Sequence, residues 1–142
     1  MKLWKYLHLF ILSFIPIIAL ASSSPIGTWT TIDDKTGEKR AVVRIKQSGS
    51  IISGKIIKVY PQSGDTGICN HCPEPFKDKK IEGLNFLRGL SDQGQGVWGG
   101  GTILDPKTGK IYRAKITVEG NKLYVRGYVG VSALGRTQTW VR

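Results

Sequence analysis

From Ile26 onward, short runs rich in Val, Ile, Thr and Tyr recur between glycine-bearing turns, and no amphipathic helical stripe breaks the series. A chain patterned this way buries side chains at alternate positions of a sheet, which restricts it to an all-β sandwich or barrel. Eight strands are expected: Ile26–Ile32, Arg40–Gln47, Ile51–Tyr60, Gly83–Leu90, Gly96–Leu104, Lys110–Glu119, Lys122–Gly130 and Arg136–Arg142. The fourth also fits a helix, because Leu84, Leu87 and Leu90 would share one helical face.

The turns carry their own chemistry. Gly49-Ser50 and Gly120-Asn121 read as two-residue hairpin loops whose first position takes a positive φ. Asp34-Lys35-Thr36-Gly37 and Asp105-Pro106-Lys107-Thr108-Gly109 share wording: an Asp that accepts from nearby amides and a Gly that closes a bulged hairpin. If the strands run up and down, these two turns, the long segment from Pro61 to Glu82 and the loop from Val131 to Gly135 all lie at one end, the mouth. The tight glycine turns, the start of the first strand and the end of the chain lie at the other, closed end.

Alternation assigns faces. Tyr112, Ala114, Ile116 and Val118 should point inward together with Leu123, Val125 and Val129. The outer face then carries Arg113, Lys115, Tyr124, Arg126 and Tyr128, either a patch for anionic partners or a solvated wall with cross-strand tyrosine packing.

Residues 1–21 read as a signal peptide: Lys2 and Lys5 precede an apolar run that ends at Ala19-Leu20-Ala21, a small-x-small cleavage site. His8, Ser13 and Pro16 interrupt that run, which falls short of the ~20 apolar residues of a membrane span. Cleavage after Ala21 leaves residues 22–142 as a single domain, enough for one core. Of the chain's 21 Lys and Arg, two lie in the leader, so 19 face 10 Asp and Glu, a net charge of +9. For a periplasmic or secreted protein this favours anionic envelope components over nucleic acid as partners.

Three stretches carry a resemblance: Gly27-Thr28-Trp29, Trp98-Gly99-Gly100-Gly101-Thr102-Ile103-Leu104-Asp105-Pro106, and Val125–Gly130 through Leu134–Trp140. They resemble a family of small exported bacterial proteins catalogued as a conserved domain of unknown function. The resemblance implies an eight-stranded antiparallel up-and-down β-barrel of the lipocalin and fatty-acid-binding kind, and no particular activity. In barrels of that kind an arginine late in the last strand packs over the Trp of the first. Here Trp29 and Arg142 fill those places, with Arg136 the alternative, and loop parity independently sets Trp29 and Arg142 at the same end.

Both cysteines fall in the long mouth loop, in Gly67-Ile68-Cys69-Asn70-His71-Cys72-Pro73-Glu74-Pro75. A zinc site would have at most three ligands from this turn and no further Cys or His in the processed chain. Haem attachment would place the His after the second Cys. A thiol oxidoreductase would follow Cys-x-x-Cys with a helix, and Pro73 and Pro75 stand there without a helical pattern. A structural disulfide between Cys69 and Cys72 is the favoured reading for an oxidising compartment.

No Ser-His-Asp or paired-carboxylate constellation emerges, so neither catalysis nor a cofactor or metal is expected. A barrel of eight strands is either filled by side chains or holds one small ligand; Phe86, Trp98, Tyr112 and Trp140 are the candidate lining residues. The competing readings are an envelope interaction protein that uses its basic exterior, or the lysines Lys77, Lys79 and Lys80 of the long loop, and a thiol-disulfide redox protein that uses Cys69 and Cys72.

Overall fold

The computed structural model describes residues 11–17 and 24–142, so most of the leader and the expected cleavage site after Ala21 lie outside the described residues. Among them, no helix is long and apolar enough to cross a membrane. Eight strands follow one another: β1 Gly27–Ile32, β2 Lys39–Ser48, β3 Ile51–Val59, β4 Asn85–Gly94, β5 Val97–Leu104, β6 Ile111–Glu119, β7 Lys122–Tyr128 and β8 Arg136–Val141. Each pairs antiparallel with its neighbour in sequence, and β8 returns to β1, closing an up-and-down barrel without a free edge.

Tight turns set the closed end. Gly49-Ser50 joins β2 to β3, and Gly120-Asn121 joins β6 to β7. The β4–β5 connection is tighter than expected. The stretch from Ser91 to Gln95 reads as loop in sequence, yet β4 runs on to Gly94, with Asp92 opposite Trp98 and Gly94 opposite Val97. Gln95 and Gly96 take φ of 56° and 76°, the double left-handed turn whose twist suits a hairpin. Polar residues at 91–95 hid the extension because they have low strand propensity, whereas the extension is decided by cross-strand pairing. The helical alternative gives way to strand at Leu87 and Leu90, while Leu84 lies just before β4, which starts two residues later than the expected Gly83; a register irregularity buries both Phe86 and Leu87.

The lower half of the barrel is filled. Trp29, Ile45, Ile52, Leu87, Leu90, Ala114, Ile116 and Leu123 are fully or almost fully buried there. Burial of each large apolar side chain contributes about 1.5–3 kcal/mol. Trp29 Nε1 donates to the Pro25 carbonyl at 2.8 Å, and the Arg142 guanidinium lies over the Trp29 ring at 4.2 Å. Arg142 also donates to the carbonyls of Ser24, Ile26 and Gly120, tying together the chain entering β1 and the β6–β7 turn. The glycines of β5 fit backbone against backbone: a Cβ on Gly101 would collide with the Arg88 carbonyl of β4.

Face assignment by alternation succeeds along β6 and β7 up to their ends. Ala114, Ile116, Val118, Leu123 and Val125 are buried. Val129, expected inward, is 72% exposed. The ladder of β7 ends at Tyr128, and the chain then leaves the sheet for a single 3-10 turn, Ser132–Leu134, before β8 begins.

Candidate functional site

Above this filled half the barrel is hollow. A cavity of about 500 Å³ opens between the strands at the mouth end, within the ~300–1,000 Å³ usual for small-molecule sites. Its apolar wall includes Val43, Ile56, Val59, Phe86, Ile103, Leu104, Val125 and Trp140. Phe86 and Trp140 stack with ring centroids 5.9 Å apart. Tyr112 borders the cavity as well, so three of the four aromatic candidates meet there. Trp98 stands apart from it. Located one residue into β5 beside the closed-end turn, it packs against the filled core.

The β3–β4 loop folds over the opening. It forms a small hairpin of its own, with an Ile68–Lys80 bridge and backbone bonds from Cys69 N to Lys79 O at 2.8 Å and from Ile81 N to Gly67 O at 2.9 Å. The Cys69–Cys72 disulfide closes its tip. Cys69, Cys72 and Phe76 are buried and continuous with the barrel core. From this loop Asp65, Thr66, Ile68, Asn70, His71 and Ile81 reach the cavity. The β5–β6 turn holds the lid from beside it. Cys72 Sγ lies 3.7 Å from the Pro106 carbonyl, and Gly109, with φ of 77°, packs so closely against His71 that a Cβ there would overlap the His71 carbonyl.

The carboxylates around the mouth are engaged locally. Asp33 Oδ1 accepts from the amides of Lys35 and Thr36, and Asp105 Oδ1 accepts from that of Lys107. The two turns are equivalents: Gly37 N donates to Asp33 O and Gly109 N to Asp105 O, each at 2.8 Å. The shared motif is therefore in register from Asp33, one residue earlier than its wording suggests, with Asp34 corresponding to Pro106. Freed from the turn, Asp34 takes both its oxygens to Arg136 Nη2 at 2.8 Å, linking the β1–β2 turn to β8. The Arg136 hydrogen bond holds the Asp34 carboxyl below its ordinary value, and the amides of Thr36 and then Lys35 do the same for Asp33.

On the outer wall, Arg113, Lys115, Tyr124, Arg126 and Tyr128 share one face, with Lys115 directly opposite Arg126 and Arg113 opposite Tyr128. The Arg126 guanidinium is turned to the β7–β8 loop, where it donates to Ser132 O at 2.6 Å, Thr137 Oγ1 at 2.7 Å and Ala133 O at 3.2 Å. The disulfide is buried, and no helix starts beside it among the described residues. No group of three or more His, Cys, Asp and Glu placed to hold a metal ion occurs among the described residues.

One cavity residue escapes sequence reasoning. Arg40 sits where the β1–β2 register slips between Thr31 and Ile32, and this bulge lets both Arg40 and its neighbour Ala41 border the cavity. Alternation along β2 would have assigned them to opposite faces; the one available signal, an arginine at the start of a strand, does not locate a bulge.

A closed eight-stranded barrel, filled at one end and hollow beneath a lid at the other, is a lipocalin-like fold. Its fold is similar to that of protein HP1028 from Helicobacter pylori, described as belonging to the lipocalin family, with a TM-score of 0.72 over 85% of this chain and 84% of that one. At 19% sequence identity this likeness concerns the fold alone. Residues 27–142 match the family described as "Uncharacterized protein conserved in bacteria (DUF2147)", and the chain belongs to that family. No curated protein matches the chain in sequence.

Proposed function

We propose that this protein is an exported, non-enzymatic binding protein that carries one small, mainly apolar ligand in the barrel. The observation that carries the reading is the lidded cavity of about 500 Å³, whose wall is built from Val43, Ile56, Phe86, Ile103, Val125 and Trp140. A pocket of this size and apolarity, with a few polar groups at its rim, is what a small-molecule site requires. The turn-forming and ion-paired roles of Asp33, Asp34 and Asp105 leave these carboxylates without a catalytic task. Native mass spectrometry of gently purified protein tests the reading. An added lipid-sized mass that persists in high salt is expected; its absence, together with no thermal stabilisation by a panel of single-chain amphiphiles, would overturn it. Export predicts a mature amino terminus at Ser22, readable from the same spectrum.

A second reading, outer-wall binding of acidic envelope polymers, is favoured by two like-charged register pairs, Lys115 opposite Arg126 and Arg44 opposite Lys55. Lys46 joins the latter pair along an outer groove. Like charges facing each other across a ladder disfavour the bare sheet and are relieved by a bound anion. Affinity for acidic glycans should then fall steeply with added salt and weaken on Arg113→Glu and Lys115→Glu.

A further inference from the structure

Among residues 24–142, the four most exposed large apolar side chains are Leu134 at 80%, Val129 at 72%, Val131 at 59% and Ile111 at 46%. All four stand in one sector of the mouth. Val129, Val131 and Leu134 belong to the β7–β8 loop, and Ile111 opens β6 two residues before Arg113, whose partner Tyr128 immediately precedes Val129. Apolar residues exposed singly are ordinary, whereas a contiguous group marks a surface that meets something. The two other short connections at this end, residues 33–38 and 105–110, are built from Asp, Lys, Thr and Gly with a Glu or a Pro, so the position itself does not call for apolar side chains.

The loop is braced from inside. Leu134 N donates to Val131 O at 3.2 Å and Gly135 N to Ser132 O at 3.1 Å, while the Arg126 guanidinium donates to Ser132 O and Ala133 O. The carbonyls of Val131, Ser132 and Ala133 therefore all have partners within the protein, as they must wherever water is scarce. Gly135 seats the loop on β7, where a Cβ would lie 2.6 Å from the Gly127 carbonyl oxygen. The charge around the loop has one sign. No Asp or Glu occurs between residues 120 and 142, so β7, the loop and β8 carry only cations, Arg126 and Arg136 being the nearest, and Arg113 stands exposed across from Tyr128. In the flanking segments, residues 33–39 and 105–110, lysines and carboxylates are equal in number. An apolar tip on a cationic base suits the interface of an anionic membrane. A second copy of the chain would instead bring a like-charged rim against this one.

We propose that the β7–β8 loop docks the barrel, mouth first, on an anionic phospholipid surface, with Val129, Val131 and Leu134 in the headgroup layer and Arg113 and Arg136 at the level of the lipid phosphates. The docking goes beyond the carrier reading and does not require the cavity to be filled. Flotation of the processed protein, whose leader cannot then contribute, with vesicles of phosphatidylcholine alone or mixed equally with phosphatidylglycerol tests it. Each cation near an anionic surface strengthens binding about fivefold, so the mixed vesicles should bind about tenfold or more tightly than the neutral ones. Val131→Ser combined with Leu134→Ser should lower binding to the mixed vesicles about tenfold or more, because less apolar surface enters the interface. Both side chains are exposed, so the melting temperature of the double variant should match that of the wild type. Absence of wild-type binding to the mixed vesicles overturns the docking and leaves the carrier reading, which rests on a bound mass, untouched. Full binding by the double variant overturns the role of the loop and assigns the attraction to the basic wall alone. Equal binding to both compositions overturns the role of the arginines. A dimer in sedimentation without vesicles, lost in the double variant, would make a second copy the occupant and overturn the membrane assignment.

Discussion

Replacing Arg142 with alanine removes the group that fastens the closed end. Its guanidinium lies 4.2 Å from the centre of the Trp29 ring and donates to Ser24 O at 3.1 Å and to Ile26 O and Gly120 O at 3.4 Å. Because Arg142 is exposed, the cation–π contact belongs at the lower part of its range, about 0.5–1 kcal/mol. The long hydrogen bonds together contribute roughly another 0.5–1.5 kcal/mol. The expected loss is therefore about 1–2.5 kcal/mol, which for a domain of this size lowers the melting temperature by roughly 6 °C. Urea denaturation with fixed m-value, or calorimetry, measures it. Arg142→Lys keeps the charge but loses the planar fork and should recover half or less. A double-mutant cycle with Trp29→Phe isolates the ring contact, with an expected coupling of about 0.5 kcal/mol. A loss below roughly 0.3 kcal/mol, within the scatter of ordinary surface substitutions, would refute the closing role. Strict additivity in the cycle would refute the ring contact.

Further outcomes follow from single contacts. Gly101→Ala forces a Cβ into the Arg88 carbonyl and should cost about 3 kcal/mol or prevent folding, whereas Gly99→Ala meets only the movable end of Gln93 and should cost about 1 kcal/mol or less; equal melting temperatures would contradict the packing described. Asp34→Asn should be less stable than the wild type at neutral pH. The Asp34 carboxyl is held below its ordinary value of 3.8, so the pair's contribution is present above that pH and the gap must close as pH falls below it; a gap unchanged in acid would exclude the ion pair as its cause. Joint replacement of Cys69 and Cys72 by alanine opens a short ring, removing about 2 kcal/mol on chain-entropy grounds. Hydrogen exchange should then accelerate most at the amides of Cys69, Asp78 and Ile81, which bond within the lid; equal acceleration in β6 and β7 would show that the bridge supports the whole fold.

The eight strands were legible because their signals are local. Alternation on β6 and β7 and a glycine at each sharp reversal act over a few residues, and they place Ala114, Ile116, Leu123 and Val125 inside before any partner strand is known. The up-and-down order set Trp29 and Arg142 at one end and the cysteine loop at the other, as found. Local signals failed wherever a partner decided the outcome. The polar stretch from Ser91 to Gly94 is strand because β5 pairs with it, and Val129 is exposed because β7 leaves the ladder at Tyr128.

The binding space was the least visible part. Phe86, Tyr112 and Trp140 could be named as aromatic candidates, but nothing in their spacing distinguished them from Trp98, which sits beside the closed-end turn, half-buried against the filled core. Arg40 needed the bulge against Ile32, and Asp34 became free for Arg136 only because its neighbour Asp33 took the turn. The amino-acid order thus determined a sheet of eight strands, its turns and a cysteine pair able to close on itself, since each depends on interactions a few residues apart. The tertiary structure alone decided that the cylinder is hollow near its mouth, and that Arg40 and Trp140, from strands on either side of β1, both border that space. The β8–β1 seam pairs Thr31 with Trp140 across most of the chain, and no pattern local to either strand encodes that closure.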